Sequence, residues 1–339
     1  MQYKPIGNSG LITSNLTLGT MIFGEKSVRS TPKKEALAII DRYLAAGGNH
    51  LDTADVYANG QSEQIVGEAL KGRRSDVLVA SKVRFRTSQN INAEGLSRWN
   101  ITKGVHASLK RLQTDYLDLL YVHCFDPITP LEESIRALDD LIQSGKVRYI
   151  GISNFKAWQL MKAQGLCQQF NANKFIAAQY QYSLVKRDIE YEFFDLFESE
   201  GVGLLPWGPL GGGFLSGKYT RDQPQSGRIA TTSEETEESW ERRNTEKNWK
   251  IMDKMQELCK KHDATPSQLA IAWILSKPVV SSVILGVRTM EQLTDNLASN
   301  QLSLSAEDLG ELDRLSTLEE LYPYRMIEAY GARNLTLGQ

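Results

Sequence analysis

Short apolar runs rich in β-branched residues alternate along this chain with longer stretches whose apolar residues recur every three or four positions. The first pattern predicts strands and the second amphipathic helices. "NLTLGT" reads as the first strand of the alternation. "KKEALAIIDRYLAAGG" reads as a helix stopped at Gly47 and Gly48, followed by strand "HLDTA". Strands "DVLVASKV" and "YLDLLYVH" flank helix "ITKGVHASLKRLQ". Helix "LEESIRALDDLIQSG" ends at Gly145 and leads into strand "VRYIGIS". Helix "AWQLMKAQGLCQQF" precedes strand "KFIAAQYQ", and helix "IEYEFFDLFESEG" precedes strand "VGLLPW". Helix "SQLAIAWILSK" precedes strand "VVSSVILG", and "MEQLTDNLAS" is the helix after it. Strand–helix alternation implies parallel strands joined by right-handed crossovers. Eight such units predict an α/β fold, the closed (β/α)8 TIM barrel.

The surplus length falls at definite places. "YKPIGNSGLITS" reads as a β-hairpin ahead of the first barrel strand, turning at Asn-Ser-Gly. The stretch from Gly208 to about Pro266 is longer than an ordinary connection. It opens glycine-rich and then carries the charged helix "ESWERRNTEKNWKIMDKMQELCKKH", with Glu234 to His262 reading as a solvated face. "AEDLGELDRLS" is a further helix near the C-terminus. No linker or change of composition divides the chain, so residues 1–339 read as a single domain. An open doubly wound sheet would carry GxGxxG after an early strand, and that motif is absent.

Charge and cysteine usage narrow the partners. The net charge is −2, which gives no reason to expect nucleic acid or an anionic membrane as partner. Cys124, Cys167 and Cys259 are far apart and form no CxxC pair, as expected in a reducing compartment. "MQYKPIGNSG" has no apolar signal core, and no run approaches the roughly 20 apolar residues a membrane span needs. A cytoplasmic monomer or homo-oligomer is the expectation. The chain has 4 histidines and no HxH pair, which argues against a bound metal and a metal-dependent hydrolase.

In parallel barrels the chemistry collects at the C-terminal ends of the strands. Here those ends read Gly19-Thr20, Asp52, Lys82, His123, Ser153-Asn154, Gln179, Trp207 and Gly286-Val287-Arg288. Tyr57 follows Asp52 closely enough for a short loop to fold it over the barrel mouth. A free phenol titrates near ~10, and an ammonium within about 4–6 Å lowers such a pKa by roughly 1–3 units. Lys82 can supply that charge, Asp52 can keep the buried lysine charged, and His123 can hydrogen-bond a substrate oxygen. The set suits proton donation to a carbonyl. No Ser or Cys nucleophile accompanies it, so hydride from a nicotinamide is the implied partner. Lys82 as a Schiff-base aldolase lysine is the alternative chemistry.

The remaining strand ends read as a cofactor cradle. Ser153, Asn154 and Gln179 can bond a carboxamide, and Trp207 can stack on a flat ring. "WGPLGGGFLSGKY", with Gly208 and Gly212, lets backbone N–H groups approach a pyrophosphate beside Lys218. "GVRTMEQLTDN" opens the last barrel helix, where Arg288 can pair with a 2′-phosphate and Gln292 and Asn296 can hold an adenine. Asp55 reads as a helix cap and Cys124 as packing, while His50, His106 and His262 read as structural or exposed.

Taken with "LTLGTMIFG", "GGNHLDTADVYANGQSEQIVGEAL", "SLKRLQTDYLDLLYVH", "SGKVRYIGISNF", "AAQYQYSLVKRDIE" and "VILGVRTMEQLTDN", these stretches make the chain resemble the aldo/keto reductases over essentially its whole length. The resemblance implies a catalytic tetrad of Asp52, Tyr57, Lys82 and His123, and reduction of an aldehyde or ketone with NADPH. It implies cofactor contacts at Thr20, Met21, Asp52, Ser153, Asn154, Gln179, Trp207, Pro209, Leu210, Lys218, Arg228, Gly286, Arg288, Gln292, Asp295 and Asn296. Tryptophan at 207 with the long insert after it is similar to the bacterial and potassium-channel β-subunit branch. That branch commonly has serine where Gly208 stands, and channel β-subunits typically have asparagine where His123 stands. A non-catalytic NADPH-binding regulatory subunit is therefore the rival expectation to an enzyme of small-molecule carbonyls.

Overall fold

The computed structural model describes residues 1–24, 30–222, 227–230, 232 and 238–331. A hairpin opens the chain: β1 (Tyr3–Pro5) pairs antiparallel with β2 (Ile12–Ser14). The barrel elements then follow as β3 (Leu16–Gly19), α1 (Lys33–Ala45), β4 (His50–Asp52), α2 (Gln61–Ala69), β5 (Leu78–Val83) and α3 (Arg98–Leu112). Next come β6 (Leu117–Val122), α4 (Leu131–Gln143), β7 (Val147–Ser153), α5 (Ala157–Gln169), β8 (Phe175–Gln179), α6 (Phe193–Glu200) and β9 (Gly203–Leu204). The insert holds α7 (Trp240–Arg243) and α8 (Glu246–His262), and α9 (Pro266–Leu275), β10 (Val283–Gly286) and α10 (Met290–Ala298) finish the barrel. α11 (Ala306–Ser316) and α12 (Tyr324–Tyr330) lie beyond it.

The eight barrel strands run parallel in the order β10-β3-β4-β5-β6-β7-β8-β9. Backbone hydrogen bonds close the ring. Leu204 N–H donates to the Val279 carbonyl and Ser281 N–H to the Leu204 carbonyl, each at 2.9 Å, and Ile284 N–H reaches the Pro206 carbonyl at 3.0 Å. β9 is only two residues long because Pro206 has no N–H to continue it. Pairing resumes one residue later, where Trp207 N–H donates to the Tyr180 carbonyl at 2.9 Å.

Two apolar layers support the ring. The inner one contains Ala80, Leu119, Tyr121, Ala177, Leu205 and Ile284, with Ile6 of the hairpin turn closing the end opposite the strand C-termini. Gly151 is needed there, since a Cβ on it would sit 2.5 Å from the Tyr121 ring. The outer layer packs the helices on the strands' other faces. α1 shows how this sets the height of the site. It buries Ala36, Ile39, Ile40 and Tyr43 along one face. The Tyr43 hydroxyl lies 2.7 Å from the Leu16 carbonyl and 3.0 Å from that of His50, tying β3 to β4. Gly48 leaves room for that ring, as a Cβ there would fall 2.2 Å from it.

The pattern misses or misreads four segments, the short α12 in the C-terminal tail among them. α2 is not signalled, because it turns Ser62 and Glu63 inward along with Ile65 and Val66, which breaks the apolar period. "IEYEFFDLFESEG" is a short 3-10 turn, Asp188–Tyr191, and then α6, separated at Glu192. The charged insert is the larger correction. It forms two helices rather than one, broken at Asn244 and Thr245, and α8 buries Trp249, Ile251, Met252, Met255 and Leu258. Apolar residues at helical spacing, masked by a high charge count, make it an amphipathic packing helix rather than a solvated face; Glu234 to Glu237 lie outside the described residues. Met255 is fully buried, so Met255→Ala is expected to lower stability by about 2–5 kcal/mol, read as a fall in melting temperature. A solvated helix would lose less than about 0.5 kcal/mol.

Candidate active site

Register brings the reactive groups together. Asp52 at the end of β4 pairs with Ala80, and Lys82 lies on the same inward-facing row of β5. The Lys82 ammonium has three close acceptors: Asp52 Oδ1 at 2.5 Å, the Thr53 carbonyl at 2.7 Å and the Tyr57 hydroxyl at 3.1 Å. That matches its three hydrogens. Burial alone would discharge this lysine. The Asp52 and Tyr57 oxygens outweigh it and hold its pKa above the usual 10.5. The other Asp52 oxygen accepts from the Gln179 side-chain amide at 2.8 Å.

Tyr57 stands on a tight reversal. Ala58, Asn59 and Gly60 all have positive φ, at 46°, 56° and 87°. A left-handed alanine followed by a left-handed asparagine costs about 1–2 kcal/mol per residue. The reversal turns the chain from the barrel rim into α2 and leaves the phenol over Lys82. The sequence reading expects Lys82 to lower the Tyr57 pKa, and here the structure differs. Burial pushes the phenol up more than the Lys82 ammonium pulls it down, so the net direction is above the ordinary 10. The phenol is therefore protonated at neutral pH, which is the form that donates.

His123 follows β6, its ring edge-on to Tyr57 at 5.9 Å and to Phe85 at 4.7 Å. Burial, then the charges of Lys82 and Arg84, press its pKa down to about 2, so the imidazole is neutral. Its Nδ1 is buried and has no hydrogen-bond partner among the described residues.

The cofactor candidates fall into two groups. Ser153 pairs with Gln179 in register, and its hydroxyl donates to the Gln179 carbonyl at 2.7 Å. Asn154 has a left-handed backbone, φ 55°, and its amide reaches the His123 carbonyl and the Ser153 hydroxyl, each at 2.9 Å. Trp207 is half-buried beside Gln181, with Gly208, Pro209 and Leu210 following. Gly211, Gly212 and Gly213 all have positive φ. A Cβ on Gly213 would lie 3.0 Å from the Lys218 ammonium, so an unscreened glycine backbone and a cation share one cradle. That combination fits a phosphate-bearing group. Arg288 is exposed at the start of α10, its N–H donating to the Gln292 side chain at 2.8 Å, with Gly286 exposed just before it. Met21 is exposed at the rim.

Other candidate positions have partners within the protein. Thr20 is buried, its hydroxyl 2.9 Å from the Asp52 carbonyl and 2.6 Å from Ser62 Oγ. Asp295 accepts from Thr265 and Gln268, stapling α10 to the start of α9, and Asn296 is buried. Arg228 pairs with Glu238 at 2.8 Å. Glu238 is a residue the sequence reading overlooks, since nothing marks it out from the acidic residues before it. It is buried, and a Cβ on Gly208 would meet its Oε1 at 3.0 Å, which with φ 68° accounts for glycine at 208. Among the described residues no group of His, Cys, Asp or Glu could hold a metal ion.

Comparison with known proteins bears on the family of the chain. The family model described as the aldo/keto reductase family matches residues 15–317. A probable voltage-gated potassium channel subunit beta of Oryza sativa subsp. japonica is 37% identical over 303 residues, covering 88% of this chain and 90% of that protein. An uncharacterized oxidoreductase of Bacillus subtilis (strain 168) is 36% identical over 324 residues, covering 92% and 95%. The versiconal hemiacetal acetate reductase of Aspergillus parasiticus is 34% identical over 349 residues, covering 95% and 99%. The chain belongs to the aldo/keto reductase family.

Asp55 is the site's second departure from the sequence reading. It caps no helix: α2 starts from Gly60 without a side-chain cap, and Asp55 is buried with Oδ1 unpartnered among the described residues. Burial, then the nearby Glu63, raise its carboxyl from 3.8 to about 8, against the pull of Arg111 and Lys82. The sign follows from linkage. The folded chain holds this proton more tightly than the unfolded chain, so the associated stability is full below about pH 4 and is lost as pH rises toward 8. Asp55→Asn, which cannot ionise, is expected to be more stable than the parent at pH 9 by a few kcal/mol on the order of the shift, with the difference vanishing near pH 4. Denaturant melts at both pH values read it.

Proposed function

We propose that this chain reduces an aldehyde or ketone to the alcohol, reversibly, with NADPH as hydride donor and Tyr57 as general acid. The observation that carries the reading is the ammonium of Lys82, fully buried, within 2.5 Å of Asp52 and 3.1 Å of the Tyr57 hydroxyl. When bound, the nicotinamide supplies the hydride. The protein's part is to hold the carbonyl oxygen where Tyr57 can donate to it. As that proton leaves, the developing phenolate faces the Lys82 ammonium, which needs no rearrangement to stabilise it. Asp52 keeps Lys82 charged throughout. His123, neutral, is suited to orient the oxygen by a hydrogen bond rather than to supply a full charge. Phe85 against His123 lines the mouth with an apolar wall. The glycine run with Lys218 suits the pyrophosphate, and Arg288 suits a 2′-phosphate.

Two rival readings fare less well. A Schiff-base lysine must be deprotonated to attack, whereas Lys82 is held charged by two oxygen partners. A regulatory, non-catalytic subunit has some support from the relatives named as channel β-subunits. Against it, the full tetrad is assembled here, His123 included. We read residues 1–339 as one catalytic unit working in a reducing cytoplasm, with the free cysteines Cys124, Cys167 and Cys259 in keeping.

Tyr57→Phe is expected to lower kcat for a generic aldehyde by about 10²–10⁴-fold. NADPH binding, followed by cofactor fluorescence, should stay near the parent value; full activity would sink the assignment of the acid. Arg288→Ala is expected to weaken NADPH about tenfold and NADH little, because a lost charge-assisted bond is worth about 1.5–3 kcal/mol. Equal losses for the two cofactors would refute the 2′-phosphate contact.

A further inference from the structure

Behind the Tyr57 turn lies a buried ion pair that the tetrad does not account for. Glu63, in the first turn of α2, is fully buried. Both of its oxygens are bonded. Oε1 accepts from the Ser81 hydroxyl at 2.6 Å, and Oε2 accepts from Nε of Arg111, in the last turn of α3, at 2.5 Å. A buried carboxylate is costly to desolvate, and apolar side chains of the same volume often stabilise a fold as well or better. Stability is thus a weak reason for the pair. Its directionality is a stronger one, because an ion pair between fixed elements sets a distance and an angle that apolar packing leaves looser.

The two ends of the pair lead to the two halves of the proton-donating site. Ser81 precedes Lys82 on β5 and faces the opposite side of the strand, so its bond to Glu63 fixes the strand that carries the ammonium. Arg111 supports the turn that carries the phenol. Gly60 closes that turn at φ 87°, and a Cβ on it would lie 2.6 Å from Arg111 Cδ and 2.9 Å from Arg111 Nε. The left-handed backbone after Tyr57 therefore rests directly on the arginine side chain. α2 starts from Gly60 with no side-chain cap, and buried polar groups anchor its first turn instead. Ser62 Oγ lies 2.6 Å from Thr20 Oγ1 and 2.9 Å from Thr53 Oγ1, which ties the turn to the ends of β3 and β4. Glu63 ties it to β5 and α3. The two helices have little slack between them, as a Cβ on Gly67 of α2 would meet the Leu112 carbonyl oxygen of α3 at 2.5 Å.

We propose that Glu63 and Arg111 are positioning residues for the carbonyl reduction, a reading on which this inference rests: the pair fixes the Tyr57 hydroxyl relative to the Lys82 ammonium. The phenol has one hydrogen bond to Lys82, at 3.1 Å, and stands on three left-handed residues, so its place depends on what lies behind the turn. A shift of about 1 Å in a reacting group, from a change remote from the chemistry, can cost roughly 10²-fold in rate. Glu63 and Arg111 hydrogen-bond no tetrad side chain among the described residues, so the effect belongs in kcat and not in the binding of substrate or cofactor.

The test is steady-state reduction of a generic aldehyde by the full chain, with NADPH affinity followed separately by cofactor fluorescence. Glu63→Gln is expected to lower kcat by about tenfold or more, with KM for the aldehyde and NADPH affinity within about twofold of the parent. The solvent isotope effect on kcat should rise, because proton delivery by Tyr57 becomes the slow step. Arg111→Ala should act in the same way, and Arg111→Lys, which returns a cation to Glu63, should recover most of the loss. Glu63→Gln combined with Arg111→Met removes the pair without stranding a buried charge, so its melting temperature should return toward the parent's while kcat stays low. If these variants do not fold, Ser81→Ala, which removes only one bond to Glu63, should still lower kcat severalfold at unchanged KM. Parent-like kcat in the folded variants, or a kcat that recovers together with melting temperature in the double variant, would overturn the proposal and leave the reaction standing. A parent that reduces no aldehyde would overturn the reaction and this proposal with it.

Discussion

The buried ion pair of Lys82 and Asp52 is the constraint around which the rest of the barrel mouth is arranged. An ammonium removed from water loses several kcal/mol of solvation unless a partner sits close and its remaining hydrogens are bonded. Asp52 is 2.5 Å away, and the Thr53 carbonyl and Tyr57 hydroxyl take the other two hydrogens. Each neighbour then acquires a position. Gln179 must face Asp52 to satisfy its second oxygen, which brings β8 chemically opposite β4 across the barrel. His123 must stay neutral, because a second cation beside Lys82 would be uncompensated. Tyr57 accepts from Lys82, which leaves its own proton free to be donated to another group.

The same pair explains why strain is tolerated nearby. The left-handed Ala58 and Asn59 sit where the chain reverses directly after Tyr57. They turn the chain from the rim into α2. The bond to Lys82 and the packing of Ala58 against Gly24, where a Cβ would come within 2.8 Å, hold the reversal in place. Asp55, between Asp52 and Tyr57, fills the space beneath this loop as a neutral acid, and its proton is part of how the loop stays buried.

How much of this was readable from the residues follows physical lines. The eight strands are visible as short continuous apolar runs because both of their faces are buried, and most helices because one buried face writes a period of 3.6 into the sequence. Asp52, Lys82 and His123 are visible because strand ends expose a fixed row of side chains, and Tyr57 because it follows Asp52 closely. α2 escapes because it buries Ser62 and Glu63, and α8 is misread because its charge count hides Trp249, Met252 and Met255. Glu238 and the buried state of Asp55 depend on contacts between segments far apart in the chain, and no local pattern encodes those. The net shift of Tyr57 escapes for another reason. Its two causes oppose each other, and only the geometry says that burial exceeds the pull of Lys82.

The central claim is that Tyr57, and not His123, delivers the proton. The pH dependence of kcat/KM for NADPH-driven reduction of an uncharged aldehyde tests it most directly. With Tyr57 as a phenol held above its ordinary pKa of 10 and His123 pressed down to about 2, no inflection should appear near pH 6.5. Activity should fall only in the strongly alkaline range, as Tyr57 ionises. A limb centred near pH 6.5 that disappears in His123→Asn would contradict the claim.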